Sequence, residues 1–466
     1  MFDFTSQPGI QLSRMKRVLL VIVGIAFLLA SWGVEGDSSP TEPSKPVFPL
    51  KVGPGGCYLV DQKDVPFLMI GDSPQALMVN VSLSDADYYL ANRASRGFNT
   101  VWINLLCAGY TGGRADASTI EGLKPFRTPN DLSTPNEAYF ARCDRIIRSA
   151  ASHGLTVILD PIETGGFLGT MRANGVNKCM AYGRYLGSRY KSFDNIIWMS
   201  GNDFQRRYWR DYGDVVKAVA SGIKETDTRH IHTLELNYFL SSSLDNPKWA
   251  DIIDLNAAYT YFPTYAEVLR DYNRTPAVPV FLIEADYEFE NGTNPERLRR
   301  QEYWSFLAGA CGHIYGNGYI WPFKDGWKDN LDTIGTVQFG YCKALFQSGP
   351  WYALVPDQKH KLVIAGYGTF SSGGSPHSSI DVNDYVATAS TLDGKLAIVY
   401  MPTARTITVN LTKLSGSVTA RWYGPTTGYY QTVAGSPFAN TSPRDFTTPA
   451  AHADGSSDWV LVLERQ

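Results

Sequence analysis

The chain has 466 residues, 44% of them hydrophobic and 19% charged, with a formal net charge of -3. At about 100–200 residues per domain that length calls for two or three domains, and the composition excludes a disordered chain, a collagen and a small disulfide scaffold. A near balance of 42 basic and 45 acidic residues, with no Lys/Arg-rich run, argues against nucleic acid as a partner.

At the N-terminus Arg14, Lys16 and Arg17 precede an apolar run from Val18 to Trp32. A basic segment followed by about fifteen apolar residues fits a secretory signal. The run falls short of the roughly twenty residues that a spanning helix needs. Residues 1–36 are therefore read as a signal peptide, with an uncleaved membrane anchor as the alternative. Both readings place the bulk of the chain in a secreted or extracytoplasmic location, and only the second brings it to a membrane. The Ser/Pro-rich stretch 37–47 reads as a linker. Six cysteines follow: Cys57, Cys107, Cys143, Cys179, Cys311 and Cys342. Export permits up to three bridges in any of 15 pairings, against the alternative of isolated buried thiols. No C-x-x-C spacing occurs, so neither a zinc nor a redox site is expected.

Residues 48–355 alternate strand-like apolar runs with helical stretches. The predicted strands are Val65–Gly71, Phe98–Leu105, Leu155–Asp160, Asn195–Gly201, His230–Leu236, Ile252–Ala257, Pro279–Glu284 and Gly312–Tyr315. Several are continuously apolar rather than alternating, as in Leu155-Thr156-Val157-Ile158-Leu159, which suits parallel strands buried on both faces. Predicted helices begin at Ser84-Asp85-Ala86-Asp87 and run over Asn136–His153, Tyr208–Thr226 and Pro295–Ala310. Gly97 and Gly154 stop the first two. Eight strands alternating with helices is the plan of a (β/α)8 TIM barrel, an α/β fold, with an open doubly-wound sheet as competitor. Residues 356–466 change character. Tyr385–Ser390, Leu396–Tyr400, Thr406–Leu411, Val418–Tyr423 and Trp459–Glu464 are short, β-branched and aromatic, with turns at Asp393-Gly394 and Asp454-Gly455. They read as a smaller all-β sandwich.

Chemistry is sought at the C-terminal ends of the barrel strands, where TIM barrels hold their active sites. Asp203 follows the fourth predicted strand and Glu284 closes the seventh, so the two can face each other across the mouth. Hydrolysis of a glycosidic bond needs such a pair. Asp72, Asp160 and Glu163 also follow strands, so position alone leaves five candidates. A Ser-hydrolase arrangement competes: Gly71-Asp72-Ser73, Ser200-Gly201-Asn202-Asp203 and Asp357-Gln358-Lys359-His360 approach the blocks of SGNH-type esterases. Ser73 would attack, His360 would accept its proton and Asn202 would donate to the oxyanion. His230 and His232 share a strand face but lack a third ligand, so no metal is expected.

The order of motifs resembles the apiosidase-like family, related to glycoside hydrolase family 140. The stretches that carry the resemblance are Ile70-Gly71-Asp72-Ser73, Arg96-Gly97-Phe98-Asn99-Thr100-Val101, Tyr185-Leu186-Gly187-Ser188-Arg189-Tyr190 and Asn195 to Asp203. Ile283-Glu284-Ala285-Asp286-Tyr287-Glu288 and His313 to Trp321 complete it. Ala420 to Gly428 is similar to the collagen-binding type of domain that follows such barrels. The resemblance implies a glycosidase acting on a carbohydrate substrate without a cofactor, with Asp203 as acid/base and Glu284 as nucleophile, and net retention. Asn202, Asp72, Trp102, Tyr259, Tyr315 and Trp321 are the expected substrate-binding residues, and His313 is expected behind them. Contact with a glycan or matrix protein through the C-terminal domain is a further expectation. A barrel that binds glycan or matrix without turnover is the remaining alternative.

Overall fold

The computed structural model describes residues 45–466. The leader expected over residues 1–36, and most of the expected linker, lie outside them. Eight parallel strands form the barrel: β1 (Met69–Asp72), β2 (Thr100–Asn104), β3 (Thr156–Asp160), β4 (Ile196–Ser200), β5 (His232–Leu234), β6 (Asn256–Thr260), β7 (Val280–Glu284) and β8 (Gly312–Tyr315). They pair in sequence order from β1 to β5 and from β6 to β8, and β8 pairs with β1. The expected TIM barrel is therefore present, and each strand falls on or beside its predicted run.

The seam between β5 and β6 is closed differently. A short strand, Leu240–Ser242, runs antiparallel to β6. Ser243 then staples the two sides: its hydroxyl donates to Leu234 O at 2.6 Å and accepts from Ala257 N at 2.8 Å. After this strand the chain makes short 3-10 turns, Ser243–Asp245 and Pro247–Trp249, instead of a crossover helix.

The other crossovers use α1 (Leu83–Ser95), α2 (Glu137–Ser152), α3 (Thr164–Tyr190), α4 (Trp209–Thr226), α5 (Thr264–Tyr272), α6 (Pro295–Leu307) and α7 (Ile334–Gln347). The first starts earlier than predicted. Ser82, not Ser84, caps α1 by accepting from Asp85 N. Pleating sorts each strand into two faces. Inward residues such as Met69, Trp102, Ile158, Ile197, Met199, Ala257, Phe281, Ile283 and Ile314 fill the barrel. A small sheet of Lys51–Val52, Leu59–Val60 and Pro66–Phe67 plugs the bottom, with Leu50, Leu59 and Phe67 joining that core.

The C-terminal strands form a six-stranded sheet, in the order Leu354–Pro356, Ala387–Thr391, Leu396–Met401, Trp459–Arg465, Val418–Tyr423, Tyr430–Thr432. It faces a three-stranded sheet of Val363–Ala365, Thr406–Asn410 and Pro443–Thr447. Leu396–Met401 explains its unbroken apolarity by alternation: Ala397, Val399 and Met401 enter the core between the sheets, while Leu396, Ile398 and Tyr400 pack against α6 and α7. A sheet buried on both faces joins the sandwich firmly to the barrel. Arg299 and Asp458, both almost fully buried, lock it with two hydrogen bonds of 2.8 and 2.7 Å. All six cysteines are free thiols, five of them buried, so the possibility of three bridges is not realised. Among the described residues no helix is long and apolar enough to cross a membrane.

Candidate active site

After β4 the backbone turns through three successive left-handed residues, Gly201 (φ 114°), Asn202 (φ 63°) and Asp203 (φ 58°). Each non-glycine residue so held costs on the order of 1–3 kcal/mol. Only glycine fits the first position, since a Cβ on Gly201 would lie 2.0 Å from Glu235 O. The turn is clamped from both sides. Thr164 N and Oγ1 donate to Gly201 O at 2.7 Å and Asn202 O at 2.8 Å. Asp203 N donates to the Glu235 carboxylate at 3.1 Å.

That turn aims Asp203 into a pocket of about 470 Å³ that it lines with Tyr110, Gln205, Tyr208, Tyr212 and Tyr238. The Tyr110 hydroxyl donates to Asp203 Oδ2, and Asp203 Oδ1 has no partner. Tyr110 sits on the Gly109–Thr111 turn. Glu163 holds that turn by accepting from Ala108 N at 2.8 Å and from the Thr111 hydroxyl. Burial pushes the Glu163 carboxyl up to about 7. Gly165 lies directly beneath Tyr110, so close that a Cβ would fall 2.0 Å from its ring.

Glu284 ends β7 and is surrounded by phenols. Oε1 accepts from Tyr259 at 2.6 Å and Tyr261 at 2.7 Å, and Oε2 accepts from Tyr287 at 2.8 Å. Tyr287 accepts in turn from Ser73 at 3.0 Å and Gln75 at 3.4 Å. Asn202 Nδ2 donates to Gln75 Oε1 at 3.2 Å. A chain of hydrogen bonds thus runs from Glu284 to the residue beside Asp203. The Tyr259 hydroxyl also lies close enough to Asp203 to favour its charged form.

Glu235, one residue past β5, joins these two. It is 1% exposed, and its Oε1 has no partner. Burial, then the charges of Glu284 and Asp203, push its carboxyl well above the usual range. Burial raises Asp203 against the pull of Tyr110 and Tyr259. Burial and Asp203 raise Glu284 against its three phenols. Three interacting carboxyls share protons rather than titrate singly. The least solvated, with the fewest donors, keeps its proton longest, and here that is Glu235.

The remaining predicted residues separate clearly. Asn202 lies within the site, with Oδ1 unpartnered, and Tyr259 touches Glu284. Trp321 is half-buried and donates to Glu290 at 2.6 Å, and it does not line the Asp203 pocket. Asp72, Tyr315 and Trp102 do not line the pocket. Asp72 and Tyr315 are register partners on β1 and β8, and the pleat turns both outward to the helices. There Asp72 meets Arg93 at 3.3 Å and Tyr89 at 2.6 Å, and Tyr315 donates to Glu288. Trp102 points inward but lies in the sealed interior, 0% exposed, its Nε1 held by Asn104 at 3.1 Å. His313 also faces outward, between Phe306 and Phe339. Asp160 is fully buried with Oδ1 capping Ile162 N.

The esterase arrangement does not assemble. Ser73 is fully buried and donates to Tyr287. His360 stacks on Tyr367 of the C-terminal region at 3.7 Å. Asp357 closes a local turn by accepting from Lys361 N and Leu362 N, each at 2.8 Å. His230 gives its Nδ1 to Asp227 at 2.6 Å. No cluster of three or more His, Cys, Asp or Glu suited to a metal occurs among the described residues. A larger hollow of about 980 Å³, lined by Cys57, Tyr58, Trp351 and Leu354, lies between the barrel's bottom plug and the sandwich, away from these carboxylates.

Glu235, Tyr110, Tyr261, Gln75 and the part played by Tyr287 are not among the residues expected from the sequence. Glu235 carried a usable signal: like Glu284, it is a carboxylate ending an apolar strand, hidden because the predicted strand ran on to Leu236.

A (β/α)8 barrel whose β4, β5 and β7 ends gather acidic side chains without a basic partner has the architecture of a glycosidase. Residues 54–353 match the family described as "Apiosidase-like, catalytic domain", and residues 378–464 match "Putative collagen-binding domain of a collagenase". The first match spans well over half of the chain, which therefore belongs to the apiosidase-like family and is a glycosidase. Solved structures share the fold. One described as a glycoside hydrolase is 24% identical with a TM-score of 0.77, over 90% of this chain and 97% of that one. A glycoside hydrolase family 5 protein from Bacteroides vulgatus ATCC 8482 is 24% identical with a TM-score of 0.77, over 89% and 93% of the two chains. No match is found among curated protein sequences.

Proposed function

We propose that the chain cleaves an O-glycosidic bond in a glycan with retention, using Asp203 as acid/base and Glu284 as nucleophile. The observation that carries this reading is that one phenol, Tyr259, donates to Glu284 at 2.6 Å and lies close enough to Asp203 to favour its charged form, while Asp203 itself lines the pocket of about 470 Å³. Carboxyls that share one phenol suit double displacement, in which the pair stands roughly 5–5.5 Å apart, better than inversion, which leaves room for a water between them.

In the first step Glu284 attacks the anomeric carbon while Asp203 gives its proton to the leaving oxygen. This yields a glycosyl ester of Glu284 and a free alcohol. In the second, Asp203 takes a proton from water as the water attacks the same carbon, and Glu284 leaves as carboxylate. Three phenols around Glu284 favour the ionised nucleophile. Glu235 is a positioning residue: its carboxyl accepts from Asp203 N and so fixes the turn that aims Asp203, while burial moves the Asp203 carboxyl toward the protonated form that an acid needs. Asn202 Oδ1 is available to a sugar hydroxyl.

The proposed division is a catalytic region over 48–355 and a sandwich over 356–466, behind an export leader and a short linker. The expected partner is carbohydrate, met outside the cytosol. The test is sugar release by full-length protein from a panel of polysaccharides. Glu284→Ala and Asp203→Ala should each lower it by about a thousandfold or more, and NMR of the first product should give the anomer of the substrate. Turnover that survives Glu284→Ala, or an inverted first product, overturns the reading.

A further inference from the structure

Between Val363–Ala365 and Ala387–Thr391 the C-terminal region sends a segment back to the barrel mouth. It is anchored along its length. Tyr265 donates to Ser371 O at 2.6 Å, His377 N donates to Tyr261 O at 2.6 Å, and Arg300 donates to Ile380 O at 2.9 Å and Asn383 O at 2.8 Å. The His377 backbone is left-handed, with φ 65°. Its ring lies 4.5 Å from that of Tyr261, and its Nδ1 bonds the fully buried Asp286 carboxylate. Asp286 thereby fixes the ring's orientation, and Nε2 has no partner among the described residues. Tyr261 is the phenol that donates to Glu284 at 2.7 Å. One ring therefore separates His377 from the proposed nucleophile.

Two more aromatics continue this surface. Phe239 lies 5.9 Å from Tyr261 and 6.3 Å from His377, and Tyr238 lies 4.1 Å from Phe239. Both rings are open, at 43% and 39% relative exposure for Tyr238 and Phe239. Phe239 is also left-handed, with φ 75°. Backbone strain at a bulky residue whose ring stays in water is the reverse of what packing rewards, and such strain concentrates at ligand clamps. Tyr238 lines the Asp203 pocket as well, so the surface is continuous with the carboxylates. Flat rings suit the C–H face of a sugar, and a histidine nitrogen at their edge suits a hydroxyl.

We propose that Tyr238, Phe239, Tyr261 and His377 form a second sugar-binding subsite beside the carboxylates, and that His377 makes the C-terminal region part of the substrate site. The ligand is a sugar ring next to the one that undergoes cleavage, so the proposal builds on the glycosidase reading of this same site.

The test uses full-length Glu284→Gln protein on an array of plant, fungal, bacterial and animal oligosaccharides. Binding of a defined set is expected. Adding Tyr238→Ala, Phe239→Ala or His377→Ala should weaken that binding at least tenfold. Tyr429→Ala, an exposed ring elsewhere in the C-terminal region, should leave it unchanged. Thermal unfolding checks that the variants fold, and Tyr238 and Phe239, being exposed, keep the test valid if the His377 variant does not. Unchanged binding in the folded variants, or no binding by the Glu284→Gln protein, overturns the subsite. Binding that depends on these rings with no sugar release by the parent would retain the subsite and reject the catalytic reading. Sugar release with an unaltered KM in the Tyr238 and Phe239 variants would do the opposite.

Discussion

At the seam between barrel and sandwich, acidic side chains meet arginines: Asp458 meets Arg299, Asp381 meets Arg297, and Glu296 meets Arg300. At the barrel mouth, Asp203, Glu235 and Glu284 meet phenols, one backbone amide and one another. Both places withdraw charge from water. An arginine neutralises a carboxylate and makes it a rivet, held by charge-assisted hydrogen bonds. A phenol supports the charge without cancelling it, so the carboxyl stays able to gain and lose a proton. The difference separates acid groups used for holding from acid groups available for chemistry.

The largest effect is expected at the seam. Arg299→Leu leaves Asp458 buried and unpaired, which should cost about 3–5 kcal/mol. Calorimetry should show a large fall in Tm. Activity per folded molecule, measured well below the transition, should be nearly unchanged. A comparable loss of kcat in the folded variant would mean that the seam and the mouth are not separate in kind.

Glu302 is the exception that sharpens the contrast. It lies on α6 at the seam, 1% exposed, with Oε2 unpartnered. Burial raises it to about 8 against the pull of Arg299, with Glu288 and Asp458 adding to the rise. The folded protein therefore holds this proton up to about pH 8, and the unfolded chain only to its ordinary value of 4.5. Stability from this group is complete below pH 4.5 and is lost as pH rises through 8. The loss should be at most about 5 kcal/mol. Denaturant unfolding across that window should show the slope, and Glu302→Gln should flatten it.

At the mouth the third effect is smaller. Tyr261→Phe removes one of three phenol donors to Glu284, and a hydrogen bond to a charged group contributes about 1.5–3 kcal/mol. A loss of about tenfold or more in kcat is expected, with the limb for Glu284 ionisation moved to higher pH. Steady-state kinetics against pH reads both. An unmoved limb would detach Tyr261 from the titrating pair.

Much of this arrangement was legible in the chain, and the parts that were not share a cause. The barrel strands announced themselves because burial on both faces makes an unbroken apolar run, as in Thr156–Asp160. Helix α3 did not: Gly165, Gly166, Gly169 and Gly175 punctuate it, and the last, at φ 68°, breaks its helical geometry. The positions of Asp203 and Glu284 at strand ends followed from counting strands. Choosing them over Asp72 needed the family resemblance, because one step of pleat turns Asp72 from the mouth to the helices. His377 was out of reach altogether. Its place beside Tyr261 is set by a chain reversal more than a hundred residues downstream, which no local pattern encodes.

Glu235 gives the smallest change in rate and the most discriminating one. If it holds its proton at neutral pH, then Glu235→Gln replaces a neutral acid by a neutral amide of nearly the same shape. The amide oxygen can still accept from Asp203 N, so the strained turn stays clamped. Activity at the optimum should then fall by no more than a few-fold. The variant lacks the negative charge that appears as Glu235 ionises, so Asp203 and Glu284 should titrate independently of it. Both limbs of the pH profile should stay where they are, because Glu235 is still neutral while Asp203 and Glu284 titrate. Glu235→Ala, which also removes the acceptor, should lower kcat further by releasing the turn. Equal losses in the Gln and Ala variants would deny the clamp, and an alkaline limb moved to lower pH in the Gln variant would mean that Glu235 is already charged while Asp203 still holds its proton.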